Sequence, residues 1–341
     1  TPHLWVPQRI SYDKVGGTSC RGIAKCKERM RCSWLSPKPT ATCVPGLLRK
    51  RLLSNSLSRR SATVAAAKNM LHASGFDESA EGESSRWSML DSAAQLQYGV
   101  HGEMPLVGIA QVLLQPAVRA VCTASPSPSF VDFGSGAGRL LLGVAAMAEW
   151  ESYVGIEAVE ALHAIACASI DSAEASNALD HGMVTSLHAG GLPHEAPAFE
   201  VMATADCVFM YSTAFPSEDG LRLPELSASL ACVLKEDSIV VTTDSFLIGE
   251  RFKFEELVPV QGPHSSPIHC FVWRVVGAPE PSYDATYDVV MGQWMGSDPA
   301  ERNEGAYVAM LKELQAWSTS QNRRVWPGVT APPRRHGGCP D

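Results

Sequence analysis

Residues 130–158 read FVDFGSGAGRLLLGVAAMAEWESYVGIEA, and their reading decides the fold. An apolar start runs into three glycines within five residues, Gly134, Gly136 and Gly138. A long aliphatic stretch of helical character follows. A second apolar pulse, SYVGIE, closes on Glu157. Strand, glycine turn, helix and strand in that order make one βαβ unit of a parallel sheet.

Downstream the alternation continues. GMVTSLHA, ADCVFMYS and DSIVVTTDS read as strands, and AVEALHAIACASIDSAEAS and LRLPELSASLACVL as helices. RFKFEELVPVQ and HCFVWRVVG then follow one another without a helix between them, as a hairpin. The expectation is an α/β fold, a doubly wound, mostly parallel seven-stranded sheet of Rossmann-like type with an antiparallel last strand. Upstream, apolar residues from Trp87 to Val121 fall at helical spacing, and Pro116 should kink or split that helix. DESAEGESSR (77–86) reads as a polar linker. PAERNEGAYVAMLKELQAWS (299–318) reads as a C-terminal helix before a Pro/Arg/Gly tail. The expected divisions are 1–68, an unstructured basic arm or transit peptide; 69–120, a helical lead-in with a lid loop; 121–277, the catalytic domain; and 278–341.

Charge is unevenly spread over the 341 residues. Residues 1–68 carry 14 Lys/Arg against Asp13 and Glu28, a balance of +12, and the remaining 273 carry -20. A basic arm is joined to an acidic body. The arm's Ser/Arg/Ala-rich, acid-poor second half suits an organelle transit peptide. Its LLRKR and LSRR clusters equally suit nuclear targeting or nucleic-acid contact. The expected location is intracellular: the nucleus if the arm is retained, a plastid or mitochondrion if it is removed. No run of eighteen apolar residues occurs, so no membrane contact is expected. Cys20, Cys26, Cys32 and Cys43 are spaced too widely for a zinc site, and no metal is expected. Cys122, Cys167, Cys207, Cys232 and Cys270 stand singly in apolar segments, as reduced core residues do.

The glycine turn needs a ligand of matching chemistry. Glycine serves where backbone turns tightly and a ligand must approach it closely. A dinucleotide fingerprint wants its third glycine one residue later, where Arg139 stands, and Asp132 would repel a pyrophosphate. S-adenosylmethionine carries an ammonium and no phosphate, so Asp132 suits it, and Glu157 can accept from two ribose hydroxyls. A purely structural glycine turn is the remaining alternative.

FVDFGSGAGRLLL with YVGIEAVEALHAIA, then DCVFMYSTAF, then YGVHGEMP, together resemble class I S-adenosylmethionine-dependent methyltransferases. Among them they are most similar to the non-SET histone-lysine methyltransferase (Dot-one) family. The resemblance spans about residues 95–277. It implies that Asp132, Gly134, Ser135, Gly136, Gly138 and Glu157 hold the cofactor, with Tyr98 and Glu103 closing over it. It implies that Tyr211, Ser212 and Phe215 line the acceptor channel, and that the partner is a protein, a histone or nucleosome in that family. Nucleic acid would be met only through the arm. The chain departs from the family where Tyr211 and Ser212 replace an Asn pair, and where Gly190 and Gly191 replace an acidic-aromatic pair that touches the adenine. His264 and His269, near the last hairpin, read as surface or packing residues. A small-molecule or organellar protein methyltransferase and a silent cofactor-binding scaffold are the competing readings.

Overall fold

The structure is a computed structural model. It describes residues 57–88, 103–180, 182–212, 215, 217, 221–261, 267–296, 309 and 312. All of them fall in one compact unit that begins at Leu52.

Seven strands form one sheet: β1 (Ser129–Phe133), β2 (Ser152–Glu157), β3 (Val184–His188), β4 (Cys207–Met210), β5 (Ile239–Thr243), β6 (Phe252–Gln261) and β7 (Pro267–Val275), in the order β3-β2-β1-β4-β5-β7-β6. The first five are parallel. β7 inserts antiparallel between β5 and β6. This is the expected fold, down to the reversed strand. β4 and β5 are buried at every position because helices cover both faces, which is why they read as unbroken apolar runs. The strand order turns back at β1, between β2 and β4. Open α/β sheets bind ligands outside the carboxyl ends of the strands at such a point.

Nine helices are described: α1 (Leu57–Ala73), α2 (Ala80–Ser88), α3 (Leu106–Leu113), α4 (Pro116–Ala124), α5 (Arg139–Met147), α6 (Glu160–Ala175), α7 (Ala198–Met202), α8 (Pro224–Val233) and α9 (Tyr283–Gly296). Pro116 splits the lead-in as expected. It takes the first position of α4, where its missing N–H costs nothing, and α3 and α4 meet at 67°. Among the described residues no single helix is long and apolar enough to cross a membrane.

The structure corrects the sequence reading in four places. The boundary at residue 68 falls inside α1, whose Ala67, Met70 and Leu71 are buried in the main core. Their i, i+3, i+4 spacing is an amphipathic stripe hidden among small residues. Burying Met70 and Leu71 contributes about 1.5–3 kcal/mol each, which ties this helix to the body. The polar segment 77–86 enters a helix rather than a linker. Ser79 Oγ accepts from Gly82 N at 3.0 Å, and Glu81 and Glu83 in the first turn complement the helix dipole. The short helix α7 was not expected. Nor was α9, which buries Val290 against Ala228 and Ile248. Of the helix expected at 299–318, only Ala309 and Lys312 are described, both helical. Residues 1–56 lie outside the described residues.

Candidate active site

β1 ends at Phe133, and the glycine turn is stapled to the neighbouring strand. Gly134 N and Ser135 N both donate to the Ile156 carbonyl, at 2.8 and 3.0 Å. Gly134 has φ of +85° with open space where a side chain would stand, so backbone conformation rather than room demands glycine there. Gly138, at φ +81°, serves differently. A Cβ there would sit 3.0 Å from Ala166 Cβ on α6, and the residue does not line the cleft. Its observed role is to let α5 pack closely against α6.

An open cleft lies over this turn. Asp132, Gly134, Ser135 and Gly136 form its floor, Glu103, Met104 and Arg139 one wall, and Phe209 and Tyr211 the other. Asp132 is 3% exposed. Burial, and then the charge of Glu157, push its carboxyl up to about 8. Glu157, buried at the end of β2, is not among the cleft-lining residues and meets the turn through Gly136. Its Oε2 accepts from Gly136 N at 2.6 Å, and its Oε1 from Val159 N at 2.7 Å. These two bonds fix the glutamate against the loop. Ser135 Oγ is buried without a hydrogen-bond partner among the described residues.

These residues fit S-adenosylmethionine. A buried carboxyl pair with no described cation beside Asp132 suits an ammonium and two ribose hydroxyls, and would repel a phosphate.

The wall that carries Glu103 is held by ion pairs. Glu103 Oε1 accepts from Arg86 Nε at 2.8 Å, and its Oε2 lies 3.4 Å from Arg139 Nε. Arg139 also donates to the Met104 carbonyl and to Glu78, both at 2.9 Å. Arg86 donates to the Asp77 carbonyl and lies over the Phe76 ring, 4.5 Å from its centroid. An arginine opening α5 opposes the helix dipole, and here two carboxylates neutralise it. Sequence reading registered Arg139 only as a departure from a glycine fingerprint. Its structural role is to dock the lead-in segment onto the glycine turn. Tyr98 lies outside the described residues, as does His264.

At the other wall, strand register sets Phe209 beside Asp132. Tyr211 follows β4 and lines the cleft. Burial, and then the charge of Asp244, push its phenol up to about 12, so it is neutral at physiological pH. Ser212 is corrected. It is fully buried, Oγ donates to the Thr243 carbonyl at 2.6 Å, and Oγ accepts from Thr243 N at 2.8 Å. Both its bonding roles are used to latch β4 to β5. Phe215 stacks on Phe133, with centroids 5.9 Å apart, and is not among the cleft-lining residues. Phe209 takes the aromatic place expected for it. The period-two alternation of β4, carried back from Tyr211, would have found it.

The family model described as "Histone methylation protein DOT1" matches residues 92–254, a little under half of the chain. The span runs from before the Glu103 wall to just past β5 and takes in every cleft residue named above. The chain carries a DOT1-like class I methyltransferase domain.

No curated protein matches the chain. Solved structures similar to it include two methyltransferases and TrmK from M. capricolum. An RNA methyltransferase from Salinibacter ruber in complex with S-adenosyl-L-homocysteine is 20% identical, over 50% of this chain and 97% of its own, with a TM-score of 0.33. The putative methyltransferase yhhF from Escherichia coli is 11% identical, over 52% and 90%, with a TM-score of 0.36. TrmK from M. capricolum in complex with S-adenosyl-homocysteine is 7% identical, over 62% and 88%, with a TM-score of 0.33. At these scores the likenesses carry no argument about what the DOT1-like domain acts upon.

Proposed function

We propose that this S-adenosylmethionine-dependent methyltransferase acts on a lysine side chain of a protein. The observation that carries the reading is the aromatic wall of Phe209 and Tyr211 set directly beside Asp132 in the cleft. When bound, S-adenosylmethionine supplies a methyl group on a sulfonium centre, open to in-line displacement. Asp132 would hold the ammonium end and Glu157 the ribose. Phe209 and Tyr211 narrow and dry the approach. A lysine amine must be neutral to attack, and its ordinary pKa is about 10.4. Removing water from around the ammonium favours its loss of a proton. The methylene stem suits an apolar wall, and an aromatic face tolerates a cationic centre. The proton passes to water, because no strong base is required.

The acidic body of -20 would be repelled by a nucleosome, and the +12 of residues 1–68 would offset it. A histone on a nucleosome, or another basic protein bound to nucleic acid, is therefore the substrate class favoured for a protein that keeps its arm. Such a protein would work in the nucleus; one that loses the arm would work in an organelle on a different protein. The experiment is transfer of labelled methyl from S-adenosylmethionine to nucleosomes, free histones and organelle extract, followed by mapping of the labelled residue. Label on lysine supports the proposal, and label confined to small molecules or RNA overturns it.

A further inference from the structure

Asp244 directly follows β5 and lies in the left-handed region, with φ of +56°. Residues with a Cβ rarely adopt it, and such outliers collect at functional sites. The conformation is clamped by one neighbour. Asp244 N donates to the His269 carbonyl at 2.8 Å, and Asp244 Oδ1 accepts from His269 N at 2.8 Å. The imidazole Nδ1 of His269 lies 3.3 Å from the same oxygen. His269 is 7% exposed, and its Nε2 has no hydrogen-bond partner among the described residues. The Asp244 side chain, by contrast, is 35% exposed, and among the described residues no Lys or Arg pairs with it.

Two links tie this carboxylate to the cleft. The latch between Ser212 and Thr243 joins the residue after Tyr211 to the residue before Asp244. The Tyr211 phenol also feels the Asp244 charge.

An aspartate at a strand end has a plain structural use. Its Oδ1 stands in for a carbonyl and extends the β5–β7 ladder by one bond. Asparagine would do that equally well and takes the left-handed conformation readily. The ladder therefore accounts for the shape of the side chain, and among the described residues only the His269 imidazole, 3.3 Å from Oδ1, faces its negative charge. The carboxylates of the cleft and its glycine turn are spoken for or enclosed. Glu103 is paired with arginines, Glu157 with backbone amides, and Asp132 is buried.

We propose that Asp244 is the acceptor-recognition residue of this site: its carboxylate receives a basic side chain that flanks the target lysine of the acceptor protein, on the Tyr211 side of the site, while His269 positions it. This deepens the lysine reading and rests on it. A contact made equally to the bound acceptor and to the transition state acts on KM and leaves kcat alone. Hydrogen bonds to a charged group are strong enough to move KM about tenfold or more.

The test uses the full chain and steady-state labelled-methyl transfer to purified core histones. Asp244→Asn should raise the histone KM about tenfold with kcat, S-adenosylhomocysteine affinity and Tm unmoved. It should also flatten the dependence of KM on salt. Asp237→Asn makes the same charge change at another left-handed aspartate, with φ of +65°, at the amino end of β5. It should leave every parameter unchanged. Labelled histone lysines with equal KM in wild type and Asp244→Asn overturn this inference alone. So does an Asp244→Asn loss matched by an equal loss of Tm and S-adenosylhomocysteine affinity. A wild-type protein that binds S-adenosylhomocysteine but labels only neutral or anionic acceptors overturns this inference and the lysine reading together.

Discussion

Cofactor binding by this protein should release a proton, and Asp132 should be its source. The carboxyl, ordinarily near 3.8, is pushed up to about 8 by burial and by the charge of Glu157. At pH 7 it is therefore about nine-tenths protonated in the free protein, and at pH 6 almost wholly so. Pairing with the ligand ammonium requires the ionised form. Each pH unit below 8 should then cost about tenfold in affinity, or about 1.4 kcal/mol. The ligand's own ammonium keeps its charge below about pH 7, so Asp132 sets the slope there. The assay is calorimetric titration with S-adenosylhomocysteine at pH 6 and 7, in buffers of different ionisation heat. The expected result is nearly one proton released per ligand and about tenfold tighter binding at pH 7. Asp132→Asn should release none and lose the slope. Glu157→Gln removes the charge that helps hold the proton on Asp132, so its proton count at pH 7 should fall. In the free fold the sign is also set. A folded-state pKa above the ordinary one stabilises the fold at pH values below about 4, and this contribution is lost as pH rises through about 8. The ligand-free Tm should accordingly fall from pH 6 to 9, and less so in Asp132→Asn. Binding that is independent of pH, with no proton released by the wild type, would refute the pairing.

Three further outcomes follow from the geometry. Arg139→Met should free the Glu103 wall and weaken S-adenosylhomocysteine binding about five- to thirty-fold, for a cost of about 1–2 kcal/mol; unchanged titration would remove the arginine from cofactor closure. Deleting residues 1–51 should leave Tm and cofactor affinity unchanged, whereas deletion through residue 68 should lower Tm, as should Leu71→Ala by about 2–5 kcal/mol in chemical denaturation. Ser212→Ala should cost about 1–3 kcal/mol of stability through the lost β4–β5 latch and leave kcat intact at temperatures where both proteins are folded.

Sequence by itself determined the sheet and half of the site. Seven strands were legible because a strand buried on both faces is an unbroken apolar run, and because the chain must alternate strand and helix to keep its neighbours parallel. Asp132, the glycine turn and Glu157 were legible because their spacing follows from one βαβ unit, which is local. What lay beyond that needed the tertiary structure. Arg139 gains its role from Glu78 and Glu103, and Glu78 lies 61 residues away. Ser212 looked like a channel residue until Thr243 consumed its hydroxyl. Gly138 belongs to helix packing because Ala166 crosses it at 3.0 Å. Asp244 and His269 carry no local signal, since what joins them is antiparallel register across the hairpin. A motif can show which residue types stand where strands end, but a hydrogen bond or a steric contact belongs to a pair. Pairs between elements exist only once the sheet has brought its carboxyl edges together.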